Sequence, residues 1–194
     1  MHISITGRLG SGKSTVAKIL AENYGFEIYS TGSIIREMAS ERGITALQMN
    51  ELMKQDHSYD LELDKTTTRI SEERAADKLL YDSRMAWHFA VNSFKVYLYV
   101  DVEVAARRIL RDGRGSVETY RDLDDAVSQL NGRMNAENQR YKELYQVDNF
   151  DFANYDVVID TEKRSPEEVA GIIMREYEIY CTDPADYVSP KIMM

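Results

Sequence analysis

Eight residues near the start of the sequence restrict the fold more than any others. Gly7-Arg8-Leu9-Gly10-Ser11-Gly12-Lys13-Ser14 separates a short β-branched and apolar run at residues 2–6 from a stretch in which Val16, Ile19 and Leu20 recur at helical spacing. Glycine at this density lets a strand end, the backbone wrap tightly and a helix begin at once. In that geometry successive N–H groups point inward and the helix N-terminus adds the positive end of its dipole, which suits the loop to anionic oxygens. The octapeptide fits the full pattern G-x-x-x-x-G-K-[ST]. A purely structural turn would have no use for the lysine and the hydroxyl.

Four further runs, at residues 26–29, 78–81, 94–100 and 155–159, are short and rich in apolar or aromatic residues, and helical periodicity fills the gaps between them. This β/α alternation predicts a parallel sheet with helices on both faces, a three-layer α/β/α sandwich with ligands at the carboxyl ends of the strands. Two intervals exceed what the alternation needs. Residues 31–75 predict a helix over 33–42 stopped by Gly43, a new start at Thr45 and a third helix over 60–76. Residues 108–145 begin with an Arg- and Gly-rich segment and continue as a long helix over 123–145. Insertions at the ligand edge of such a sheet are candidates for substrate-closing elements. The last helix is marked by Ser165-Pro166-Glu167-Glu168, a capping box with proline at the first helical position, and buries Val169, Ile172, Ile173 and Tyr177. Residues 181–194 are expected to be irregular.

Composition excludes several partners. The 194 residues carry a formal net charge of −9, which argues against a nucleic-acid polymer, since that binding runs on clustered Lys and Arg. Cys181 is the single cysteine, so no internal disulfide can form, and with His2, His57 and His88 it makes no metal-ligand spacing. No run approaches the roughly 18 apolar residues of a membrane span, so the expected location is cytoplasmic and no membrane partner is expected.

The loop predicts ATP as ligand, with Lys13 reaching the β and γ phosphates and the Ser14 hydroxyl ligating Mg²⁺. A guanine-nucleotide switch would need Asn-Lys-x-Asp and Asp-x-x-Gly elements, and the third strand is followed instead by Asp82-Ser83-Arg84-Met85. Arginines point to phosphoryl transfer. Arg36 follows Ser30-Thr31-Gly32, Arg84 follows the third strand, and Arg107, Arg108, Arg111 and Arg114 cluster in the second insertion. One well-placed guanidinium contributes about 10³ to 10⁵ in rate to such a reaction. Arg133 and Arg140 lie two turns apart on one helical face with Glu137 between them, either a solvated stripe or a pair closing on phosphates. Asp82 ends an apolar strand near the expected metal, or serves as a turn cap.

Taken in order, GRLGSGKST (7–15), STGSIIREMA (30–39), DSR (82–84), ARRILRDGRGS (106–116), RYKELY (140–145) and YDVVIDT (155–161) resemble the cytidylate kinase-like family in its short form, over residues 1–180. The resemblance implies a single P-loop kinase domain over 1–180. It has a five-stranded parallel core, an acceptor-binding insertion at 31–75 and a lid at 108–125, and transfers the ATP γ-phosphate to CMP or dCMP. It further implies that Gly7, Gly10, Ser11, Gly12, Lys13, Ser14 and Thr15 hold the donor phosphates and that Thr31, Gly32, Arg36, Asp82 and Arg84 take the acceptor. Asp82 would also stand near the metal, and Lys13, Arg84, Arg108, Arg111, Arg133 and Arg140 would serve catalysis. Ser83 stands where the family usually has glycine, and a side chain there is expected to crowd the acceptor. Other acceptors (AMP, UMP, dephospho-coenzyme A, or an alcohol with Asp82 as general base) and a non-catalytic nucleotide-binding protein are the alternatives.

Overall fold

The β/α alternation is realised from the first residue. In chain order the elements are β1 (His2–Gly7), α1 (Lys13–Tyr24), β2 (Glu27–Ser30), α2 (Thr31–Glu41), α3 (Ala46–Gln55), α4 (Ser58–Glu73), β3 (Leu79–Asp82), α5 (Ala86–Phe89), β4 (Ser93–Tyr99), α6 (Val102–Arg111), α7 (Leu123–Tyr145), β5 (Val157–Asp160), α8 (Pro166–Thr182) and β6 (Lys191–Met193). The structure, a computed structural model, describes residues 1–111 and 120–194, and all side chains among them except those of residues 33, 36, 37, 46, 47, 50, 51 and 54. The expected lid at 108–125 therefore lies partly outside the described residues. The chain forms two compact units, one of Met1–Thr6 with Ala17–Lys95, the other of Gly7–Val16 with Val96–Met194.

In the first unit the strands run β2-β3-β1, all parallel, with Ile3 and Ile28 both level with Leu80. The sequence of β1 alternates polar and apolar residues, the usual mark of a strand with one wet face, yet all six residues are buried. Its polar side chains are accommodated because each has a partner. His2 Nε2 donates to the Ser71 carbonyl at 3.0 Å, Ser4 and Ser93 share a hydroxyl contact at 3.3 Å, and Thr6 Oγ1 donates to the Ser83 carbonyl at 2.9 Å. The helices of the first insertion have an apolar cluster of their own, Ala39, Met49, Met53 and Leu63, with Ile34, Ile35, Met38, Ile44 and Tyr59 against it. Thr45 starts α3 with a capping box to Gln48, which satisfies two amides that the helix itself cannot.

In the second unit the order is β4-β5-β6, again parallel, with Tyr97 level with Val158 and Val158 level with Ile192. Helices α6 and α7 close over Val100, Ala105, Ala106, Ile109, Ala126 and Leu130, and Leu9 of the glycine-rich loop packs on the same cluster. Helix α8 begins at the Ser165–Glu168 capping box and buries Val169, Ile173 and Tyr177. No helix among the described residues is long and apolar enough to cross a membrane.

Among the described residues the strands number six, not the expected five, and the segment expected to be irregular supplies the sixth. What recruits β6 is a buried carboxylate. Glu176 on α8 accepts from Lys191 Nζ at 2.8 Å and from the Tyr187 hydroxyl at 3.3 Å, and Lys191 lies 4.2 Å from the centre of the Tyr187 ring. The Lys191 amide then donates to the Asp156 carbonyl at 3.0 Å. Burial pushes the Glu176 carboxyl up, but the hydrogen bonds from Lys191 and Arg175 outweigh it and leave the pKa below its ordinary value. The folded state thus binds this proton more weakly than the unfolded chain does, so the contact stabilises the tail fully above the unfolded value of about 4.3. That contribution is lost as pH falls through the lower folded value. Hydrogen-exchange protection at the Lys191 amide is expected to fall selectively below about pH 4, while protection in β1 persists; Glu176→Gln should reproduce the loss at neutral pH.

Candidate active site

Strand β1 ends where a backbone contact leaves no room for a side chain. At Gly7 (φ 148°) a Cβ atom would lie 2.2 Å from the Leu98 carbonyl oxygen, and the next amide, Arg8 N–H, donates to that same oxygen at 3.0 Å. The chain then wraps. Ser11 N–H donates to the Arg8 carbonyl at 3.2 Å, and Thr15 and Val16 N–H both reach the Gly12 carbonyl at 3.0 Å as α1 begins. Lys13 folds back over this turn, with Nζ donating to the carbonyls of Gly7 and Arg8 at 3.0 Å each. Ser14 and Thr15, in the first turn of α1, are exposed. That first turn carries no acidic residue to neutralise the dipole.

Ser11 is buried, and its hydroxyl has no hydrogen-bond partner among the described residues. An unmet buried hydroxyl costs about 1–3 kcal/mol, and a phosphate oxygen would supply the missing partner. Together with the lysine at the turn and a first helical turn without an acidic residue, this makes the loop fit the phosphates of ATP. Arg8, to which sequence assigned no role, braces the loop: its guanidinium lies 4.3 Å from the centre of the Tyr99 ring and donates to the Val100 carbonyl at 3.2 Å. A variable position of the motif gives no signal for such a contact.

The arginines of the second unit separate into different environments. Arg107 pairs with Glu103 at 2.8 Å on the exposed face of α6. Arg108, expected in a lid, belongs to α6 and is turned inward, donating to Gly10, Thr161 and Glu162. Arg111 is the last residue of α6, and Arg114 lies outside the described residues. On α7 the exposed Arg133 pairs with Glu137 at 3.1 Å, whereas Arg140 is half-buried with its guanidinium 5.3 Å from the Tyr141 ring centre.

In the first unit, Thr31 and Gly32 form the first turn of α2 instead of a preceding loop, and Arg36 follows one turn on, with its side chain outside the described residues. Asp82 closes β3 and is half-buried, as is Arg84. The turn between them is tied to β1, because Thr6 Oγ1 also contacts the Arg84 carbonyl at 3.3 Å. Ser83 is buried, and its hydroxyl accepts from the Met85 amide at 3.3 Å. The hydroxyl at the position expected to crowd an acceptor is thus hydrogen-bonded within its own turn. Among the described residues no group of three or more His, Cys, Asp or Glu side chains is arranged to hold a metal ion.

Comparison with known proteins is decisive on family. The profile of the cytidylate kinase-like family matches residues 2–163. The chain belongs to that family. It is accordingly an ATP-dependent kinase. Among curated relatives, the cytidylate kinase of Natronomonas pharaonis is 34% identical over 192 residues, covering 98% of this chain and 96% of that protein. That of Methanococcoides burtonii is 35% identical over 163 residues, covering 84% and 89%. Among solved structures, shikimate kinase from Bacteroides thetaiotaomicron superposes with a TM-score of 0.57 at 15% identity, covering 92% of this chain and 97% of its own. A protein from Eubacterium ventriosum gives 0.62 at 18% identity, covering 92% and 98%. At these identities the structural likeness concerns the fold, which is that of P-loop kinases.

Of the three glycines of the loop, Gly7 leaves the least room for a side chain. Gly7→Ala would drive a methyl group into the backbone of β4 as well as straining φ, and is expected to cost about 3 kcal/mol or more. A thermal melt of the variant should show the midpoint lowered by many degrees, or no cooperative transition at all.

Proposed function

We propose that this chain is a nucleoside monophosphate kinase that moves the γ-phosphoryl group of ATP to CMP or dCMP with Mg²⁺. The observation that carries the donor half is the loop itself, where Lys13 is seated on the Gly7 and Arg8 carbonyls and the buried Ser11 hydroxyl has no partner among the described residues. What supports the acceptor half is the set of relatives named cytidylate kinase at about a third identity over nearly the whole chain.

In this proposal residues 10–15 hold the β and γ phosphates, and Lys13 carries its positive charge with them as the γ group leaves. The Ser14 hydroxyl, with Asp82 or waters on it, would hold Mg²⁺, which when bound neutralises charge across the β and γ oxygens. Arg84 and Arg36 receive the acceptor's phosphate. One of its oxygens attacks the γ-phosphorus in line, the bond from that phosphorus to the β–γ bridging oxygen breaks, and ADP leaves. No side chain needs to remove a proton, because the second phosphate pKa is about 6 and the attacking oxygen is already ionised at neutral pH. Arg111, Arg133 and Arg140 are assigned to charge neutralisation around the transferring group.

An ADP-release assay across CMP, dCMP, UMP, AMP and dephospho-coenzyme A tests the proposal directly. Turnover is expected with CMP and dCMP first. Lys13→Ala should lower kcat by about a hundredfold or more. Arg84→Ala should raise the acceptor KM about tenfold with the ATP KM little changed. Undiminished activity in Lys13→Ala would remove the loop from the reaction, and preference for another acceptor would overturn the cytidylate assignment.

A further inference from the structure

The outer wall of the donor loop is supplied by α6. Gly10 is packed so closely on that helix that a Cβ atom there would lie 2.9 Å from the Ala105 methyl group and 3.0 Å from the Ala105 carbonyl oxygen. One turn later, Arg108 grips the same stretch of loop. Its Nη1 donates to the Gly10 carbonyl at 3.4 Å and to Thr161 Oγ1 at 3.2 Å, and its Nη2 donates to the carbonyls of Thr161 at 2.6 Å and Glu162 at 3.1 Å. Thr161 is itself buried and fixed, its hydroxyl donating to the Tyr99 carbonyl at 3.1 Å.

We infer that Arg108 is a positioning residue for the donor loop, acting through the Gly10–Ser11 peptide, and that it does not touch the transferred phosphoryl group. This rests on the kinase proposal above. A guanidinium has four terminal N–H groups, and here four acceptors from the protein are set around them, so a moving phosphate would have to displace bonds already made. The consequence for the loop follows from peptide geometry. In a planar trans peptide the carbonyl and the next N–H point in opposite directions. Drawing the Gly10 oxygen toward α6 therefore turns the Ser11 N–H to the inside of the loop, where it meets the Arg8 carbonyl at 3.2 Å. The buried Ser11 hydroxyl belongs to the same residue. Arg108 thus fixes the peptide that carries the unmet Ser11 hydroxyl before any nucleotide arrives, and ties it to the turn after β5. Preset donors bind an anion without the ordering cost that a slack loop would incur.

Arg108→Ala and Arg108→Lys, with Arg107→Ala as the surface control, separate this role from direct catalysis. Calorimetric ATP–Mg²⁺ affinity, the two KM values, kcat and Ser11 amide exchange in the nucleotide-free protein are the measurements. Both Arg108 variants should weaken ATP binding and raise the ATP KM about tenfold. The acceptor KM should stay within about twofold, and Ser11 exchange should accelerate. Lysine should fail like alanine, because a single ammonium cannot bridge Gly10 and the Thr161–Glu162 turn together. Arg107→Ala should match the parent in every measurement. The inference is overturned if Arg108→Lys keeps the parental ATP affinity, or if kcat falls while ATP affinity and Ser11 exchange stay unchanged. Should Arg108→Ala not fold, the lysine variant alone decides. Should the parent transfer phosphate to no monophosphate, the kinase proposal fails, while ATP affinity and Ser11 exchange still decide the role of Arg108.

Discussion

Gly7 against the backbone of Leu98 is the contact on which the glycine-rich loop depends. The 2.2 Å that a Cβ atom would find there means that only a hydrogen fits, and the Arg8 amide bonds the same carbonyl. This fixes where β1 stops and in which direction the chain leaves it. Arg8 then has Tyr99 and the Val100 carbonyl to rest on, Leu9 drops into the α6–α7 core, and Lys13 finds two carbonyls converging on its ammonium. The loop's shape is thus inherited from strand packing and is not left to the loop's own preferences.

The electrostatics are local in a chain that is acidic overall. With a net charge of −9 the protein has no general attraction for anions. Positive potential is instead concentrated by placement. Helices α6, α7 and α8 each carry acidic residues in their first turn, where they offset the dipole, and α1 carries none. Helices α2 and α3 carry none either; α1 differs from them in following the glycine-rich loop, with Lys13 in its first turn. A small, highly charged ligand is favoured by such an arrangement, and an extended polyanion is not.

Sequence made the strand-loop-helix unit, the alternation and the capped ends of α3 and α8 legible, because each is encoded within a few neighbouring residues. Contacts between distant residues were not legible. Nothing adjacent to Lys191 announces that a glutamate fifteen positions earlier will bury its carboxylate against it, so β6 was missed. Arg108 and Arg111 read alike in a run of arginines, and only the position of Gly10 and Thr161 beside α6 distinguishes them. That the Ser83 hydroxyl turns to the Met85 amide is likewise a matter of rotamer and not of residue type.

The first insertion has a core of an unusual kind. Met49 and Met53 are buried at its centre and Met38 packs beside them, with Leu63 the only branched aliphatic side chain among the described buried members. Unbranched thioethers adapt to altered neighbours at lower strain than β-branched residues do. On the proposal that Arg36 of α2 meets the acceptor, these three helices can absorb substitutions that reshape their inner surface, which gives evolution or an engineer a place to change the recognised nucleotide.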